Sequence, residues 1–84
     1  MNDKYFIYIL KCSDGSYYVG STGCLIKRLG RHNAGLACKW TKYRLPVNLI
    51  YSEIHPTLKE ARQREKQIKN WSRKKKENLV TNQI

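Results

Sequence analysis

Acidic residues are scarce in this 84-residue chain: six Asp and Glu stand against 17 Lys and Arg, a formal charge of +11 at neutral pH. Such an excess favours a polyanionic partner, and nucleic acid is the first candidate. Long apolar runs are missing as well. Nothing approaches the roughly 20 residues of a spanning helix and no signal-peptide pattern opens the chain, so a soluble, cytoplasmic protein with no membrane partner is expected. Cysteine occurs only as Cys12, Cys24 and Cys38, an odd number without C-x-x-C spacing. That signals neither a disulfide framework nor a zinc site, and the three read as small, reduced apolar side chains. There is no internal repeat, linker or low-complexity segment apart from Arg73-Lys74-Lys75-Lys76. The length fits a single domain over residues 1–84 with one modest core, so any site must lie on or beside that core.

What is present begins with FIYILKCSDGSYYVG, residues 6–20, two β-branched and aromatic runs around a Ser-Asp-Gly-Ser turn. This is a β-hairpin signal. Its register matters, because side chains alternate faces along a strand. A two-residue turn at Asp14-Gly15 would set Tyr8 and Tyr18 on opposite faces. A three-residue Asp14-Gly15-Ser16 loop with a bulge would pair Leu10 with Gly20 and bring the phenols to one face.

Ser21 to Asn33 then reads as a helix starting near Ser21 or Thr22, with Gly35 as its stop. AGLACKWTKYRLP follows without periodicity, and VNLIYSEI, after Pro46, is a compact apolar strand. Thr57 and Glu60 have capping-box spacing, opening a helix that runs to about Asn70. Ser72 can cap a last short helix through Val80. The order β-β-α-β-α-α makes an α+β fold in which helices cover a partly antiparallel sheet.

Two helices carry charge on their apolar stripes. At about 100° per residue, Leu25, Arg28, Leu29 and His32 share one arc, while Lys27 and Arg31 point away. In the next helix Leu58, Ala61, Glu65 and Ile68 do the same. Snorkelling explains an Arg alone, and an i,i+4 pair with Lys69 is available to Glu65, but neither accounts for both faces. The remaining acids have ordinary places: Asp3 is terminal, Asp14 lies in the turn, Glu60 caps, Glu53 ends a strand and Glu77 sits in the polar tail. Tyr8, Tyr18, Arg28, His32 and Glu65 together supply what phosphodiester hydrolysis needs. A carboxylate holds Mg²⁺ through water, an Arg stabilises charge developing on phosphate, and a Tyr or His takes a proton from water.

These residues carry a resemblance to the GIY-YIG nuclease superfamily. Phe6-Ile7-Tyr8 matches its first motif and Tyr18-Val19-Gly20 its second, followed by Arg28 and His32 on the first helix and Glu65 on the second. The likeness covers nearly the whole chain and is nearest to the short, stand-alone bacterial members, which share a basic loop here read as Thr41-Lys42-Tyr43-Arg44-Leu45-Pro46. It implies a three-stranded antiparallel sheet flanked by three helices, and Glu65 as ligand of one Mg²⁺ or Mn²⁺. It further implies hydrolysis of a DNA strand with a motif tyrosine as general base and Arg28 on the scissile phosphate. Two positions depart from the pattern, Phe6 in place of the first motif's glycine and Cys24 where many relatives have a capping Asp, and both Asn70 and Asn78 offer themselves as the later asparagine. No separate DNA-targeting domain is expected.

For binding, Lys39, Trp40, Lys42 and Arg44 interleave cations with rings, a pattern suited to a nucleic-acid backbone with base stacking, although Trp40 serves equally as a core cap. Arg73, Lys74 and Lys75 crowd cations at a helix start, which a phosphate would relieve, although a solvated tail is the simpler reading. The leading expectation is a metal-dependent DNA endonuclease, acting at branched or damaged DNA in repair or recombination. The alternative is a non-catalytic nucleic-acid-binding module of the same fold. RNA is the second candidate ligand, and a protein partner would be one source of targeting.

Overall fold

The computed structural model describes residues 4–82; Asp3 lies outside them. Three strands form one antiparallel sheet, β1 (Tyr5–Lys11), β2 (Tyr17–Thr22) and β3 (Asn48–His55), in the spatial order β2-β1-β3. Four helical segments accompany it: α1 (Leu25–Asn33), the single turn α2 (Lys39–Lys42), α3 (Leu58–Lys69) and α4 (Arg73–Thr81). The expected α+β order is present, with α2 as an added turn inside the aperiodic loop.

The hairpin settles the phenol question. Leu10 pairs with Tyr18 and Tyr8 with Gly20, so the two tyrosines share a face. The loop is three residues long but lies one residue earlier than the expected bulge, at Ser13-Asp14-Gly15. Cys12 N–H bonds Ser16 O at 2.8 Å, Gly15 takes φ +84°, and Asp14 Oδ1 accepts from the Ser16 amide. A residue without Cβ penalty is what that left-handed position needs.

Alternation divides the interior into two layers. Ile7, Ile9 and Val19 on one face pack with Ala61 and Ile68 of α3 and with Trp71, Leu79 and Val80. Tyr8, Leu10 and Cys12 on the other pack with Val47, Leu25, Leu29 and Leu45. The stripe of α1 therefore meets one face and that of α3 the other. α1 is also tied to the start of β3, since the Asn33 amide group brackets Val47, accepting its N–H at 2.9 Å and donating to its C=O at 3.2 Å.

α1 begins later than expected because Ser21 and Thr22 are spent on β2, paired with Ile7 and Phe6. Thr22 Oγ1 accepts from Cys24 N–H, a turn before the helix, and Cys24 itself provides no side-chain cap. The other starts are as expected: Thr57 caps α3 through Glu60 N–H, and Ser72 caps α4 through Lys75 N–H.

Candidate active site

Where Tyr8 crosses Gly20, a side chain on residue 20 would put its Cβ 2.5 Å from Tyr8 Cζ, so only glycine lets the ring lie across β2. This directs the phenol to α1, where Tyr8 Oη is 3.0 Å from His32 Nε2. His32 Nδ1 is in turn 2.9 Å from Thr41 Oγ1 on α2. All three are deeply buried, at 2 %, 1 % and 0 % exposure. Tyr18 completes the ring cluster, edge-on to His32 with centroids 5.2 Å apart and 6.5 Å from Tyr8.

Burial pushes the Tyr8 phenol well above its ordinary value, with the neighbouring Tyr18 adding to the effect. Tyr18 is pushed up to about 12, by burial first and then by its interaction with the Cys38 thiol. His32 moves the other way, because burial and then the Arg28 guanidinium disfavour imidazolium. The site at neutral pH thus holds neutral phenols and a neutral imidazole. Cys38, whose thiol burial would raise, is held below its usual value by hydrogen bonds from Thr41, Tyr18 and the Trp40 N–H.

The His32 shift has a consequence for stability. An unfolded histidine binds a proton near pH 6.5, whereas the folded one binds it only at lower pH. Between those values the unfolded state holds more protons, so stability rises with pH there. Urea unfolding between pH 7.5 and 5 should lose stability as pH falls below about 6.5, and His32→Asn, though less stable, should show a flatter slope in that window. Equal slopes would contradict a neutral, buried His32.

Arg28 is half-buried and lines the wall formed by Tyr8, Leu10, Leu25, Leu29 and Leu49. Glu65 arrives from the other layer. Its Oε1 accepts from Ser21 Oγ at 2.5 Å and its Oε2 meets Lys69 Nζ at 2.7 Å, while that ammonium stands 5.8 Å from the Tyr18 ring centre. Ser21 lies on the α3 face of edge strand β2, so the carboxylate sits at that edge, with the Lys69 ammonium between it and the Tyr18 ring. Among the described residues no three His, Cys, Asp or Glu cluster as a metal cage. Magnesium does not need one, as it keeps several waters and takes one or two carboxylates plus phosphate oxygens. Glu65 fits that mode: it is partly exposed, its outer oxygen already faces a cation, and the Ser21 hydroxyl is a further hard oxygen alongside.

The candidate binding residues fall into two groups. Trp40 stacks on Tyr18 with centroids 6.0 Å apart, and Arg44 lies 4.0 Å over the Trp40 ring, held by Trp40 O at 2.7 Å and by Asp14 at 3.2 Å. Lys39 and Lys42 are exposed on the same turn. Arg73, Lys74 and Lys75 belong instead to α4 on the opposite layer. There Arg73 sits 3.9 Å over Tyr17 and donates to Gly15 O at 2.6 Å, and Lys75 lies over Trp71. The i,i+4 pairing of Lys69 with Glu65 is the one the spacing offers, whereas Thr41, Cys38 and Ser21 are site neighbours that the sequence reading did not single out; of these only Thr41 carried a signal, through the basic loop motif.

A β-hairpin presenting two phenols to an Arg-His helix, with a glutamate on the following long helix, is the framework of a GIY-YIG nuclease domain. The GIY-YIG catalytic domain profile matches residues 4–78, and the chain belongs to this family. It is 48 % identical over 79 residues to a UPF0213 protein of Staphylococcus saprophyticus, covering 94 % of this chain and 96 % of that protein. A UPF0213 protein of Staphylococcus aureus is 46 % identical over 78 residues, with 93 % and 95 % covered. The solution structure of a UPF0213 protein from Bacillus halodurans is similar at a TM-score of 0.63 and 38 % identity, over 95 % of this chain and 85 % of that one. A second solution structure, from E. faecalis, gives 0.63 and 35 %, over 96 % and 88 %.

Proposed function

We propose that the chain is a metal-dependent endonuclease that hydrolyses DNA phosphodiester bonds, working as one domain over residues 1–84 in the cytoplasm, on branched or damaged DNA. The observation that carries this reading is the buried Tyr8–His32 pair at 3.0 Å, set beside Arg28. A phenol that donates to a neutral imidazole keeps its oxygen lone pairs for a water molecule. As water attacks phosphorus, its proton passes to Tyr8 Oη while the Tyr8 proton passes to His32 Nε2, so no free phenolate is needed. This suits a phenol that resists ionisation and an imidazole held neutral. Tyr18, packed edge-on to His32, offers its hydroxyl to orient the same water. Arg28 takes the charge developing on the phosphate oxygens.

Glu65, with Ser21 beside it, would hold Mg²⁺ or Mn²⁺. Bound there, the ion polarises the phosphate and stabilises the leaving oxygen. Lys39, Trp40, Lys42 and Arg44 flank the phenols and suit the DNA backbone, whereas Arg73, Lys74 and Lys75 suit a more distant part of the duplex.

The test is a cleavage screen of the purified protein on nicked, flapped, branched and single-stranded DNA and on structured RNA, with each metal. Metal-dependent cutting of a DNA substrate is the expected result. Binding without cleavage under every condition would leave the non-catalytic module, and preferential retention of structured RNA would reassign the ligand. A protein partner that supplies targeting would show as cleavage only on its addition.

A further inference from the structure

Thr41 on α2 and Cys38 just before it continue the hydrogen-bond chain that begins at Tyr8 and His32. Tyr8 is 2 % exposed and, among the described residues, its hydroxyl has His32 Nε2 as its hydrogen-bond partner. A buried O–H without an acceptor is costly, which favours a phenol that donates to a bare Nε2. The neutral ring then has its hydrogen on Nδ1, directed at Thr41 Oγ1 at 2.9 Å. Thr41 can accept it because its own hydroxyl has two acceptors to choose from, Cys38 Sγ at 3.3 Å and Cys38 O at 3.4 Å. The chain Tyr8 to His32 to Thr41 to Cys38 is thus satisfied in this direction, and Thr41 supplies the acceptor without which the buried Nδ1–H would be left unpaired.

We propose that Thr41 is a positioning residue that locks His32 as its Nδ1–H tautomer, and so keeps Nε2 open to the Tyr8 proton. Thr41 touches no substrate in this arrangement. It acts through the ring, as the orienting partner of a catalytic histidine does in other hydrolases. The role rests on the nuclease reading for its catalytic consequence, but the tautomer itself does not.

Long-range ¹⁵N–¹H correlation spectra of histidine-labelled protein at pH 7.5 read the tautomer directly, with His55→Gln assigning the two rings. Wild type should show His32 protonated on Nδ1. Thr41→Val, which keeps the shape and removes the hydroxyl, should move it to the Nε2–H form that an unconstrained side chain favours, and Thr41→Ser should keep Nδ1–H. On a DNA substrate that wild type cuts, Thr41→Val should lower kcat on the order of 10-fold or more at unchanged KM, with Thr41→Ser within about threefold of wild type. An Nε2–H ring in wild type overturns the proposal. So does a folded Thr41→Val protein that keeps Nδ1–H, or one that switches tautomer without losing kcat. If Thr41→Val does not fold, wild type and Thr41→Ser decide by their spectra. If wild type cuts nothing, the nuclease reading fails, and the tautomers still decide what Thr41 does.

Discussion

Glu65→Gln should remove cleavage by about 10³-fold or more in kcat while changing DNA affinity by about twofold at most. The substitution keeps the side chain's volume, and its amide oxygen can still accept from Ser21 Oγ. What it removes is the charge that now holds Lys69 and would hold the metal. The lost ion pair is an i,i+4 contact on a partly exposed helix face, worth a few tenths of a kcal/mol, so the fold should survive. Calorimetric titration with Mn²⁺, read beside gel-based cleavage, separates the possibilities. Wild type should take up the ion in the presence of DNA, and the variant should not. A variant that cuts like wild type would remove Glu65 from the site altogether.

The second large effect is expected at Gly20, where no charge or hydrogen bond is at stake. A methyl group there would overlap the end of the Tyr8 ring, and the ring has nowhere to go, being 2 % exposed and fixed against His32. Overpacking of this kind costs about 1–3 kcal/mol. A phenol displaced by an ångström should lose on the order of 10²-fold in rate. A cycle with Tyr8→Leu isolates the cause: Gly20→Ala should destabilise that background by less than half as much as it does wild type. Equal losses in both backgrounds would mean that the glycine serves the backbone of β2 instead.

These two positions also show what was legible before any coordinates. Charge on an apolar stripe marked Arg28, His32 and Glu65, because helical periodicity is strict enough to reveal a residue on the wrong face. Pairing the phenols required an odd loop, and the odd loop is present. Its offset by one residue follows from Asp14, whose side chain takes the Ser16 amide and closes the turn early. The helix start was misjudged because Ser21 and Thr22 suit a cap and a strand equally, and pairing with Ile7 and Phe6 decided for the strand. Thr41 and Cys38 lay in a stretch with no periodicity, where a single turn leaves no pattern to find. Lys69 was open to Glu65 by its i,i+4 spacing, but Ser21 became a neighbour of the site only through the way α3 lies along β2.

That last arrangement gives the site a seam. The phenols, imidazole and guanidinium belong to one layer of the protein and the carboxylate to the other, and the two parts meet at the rim of a single strand. The seating of α3 on Ile7, Ile9 and Val19 sets their separation, and the Ser21–Glu65 hydrogen bond pins the carboxylate at the rim. The core beneath α3 thus behaves as the spacer of a two-part tool, and its thickness sets the gap between the jaws.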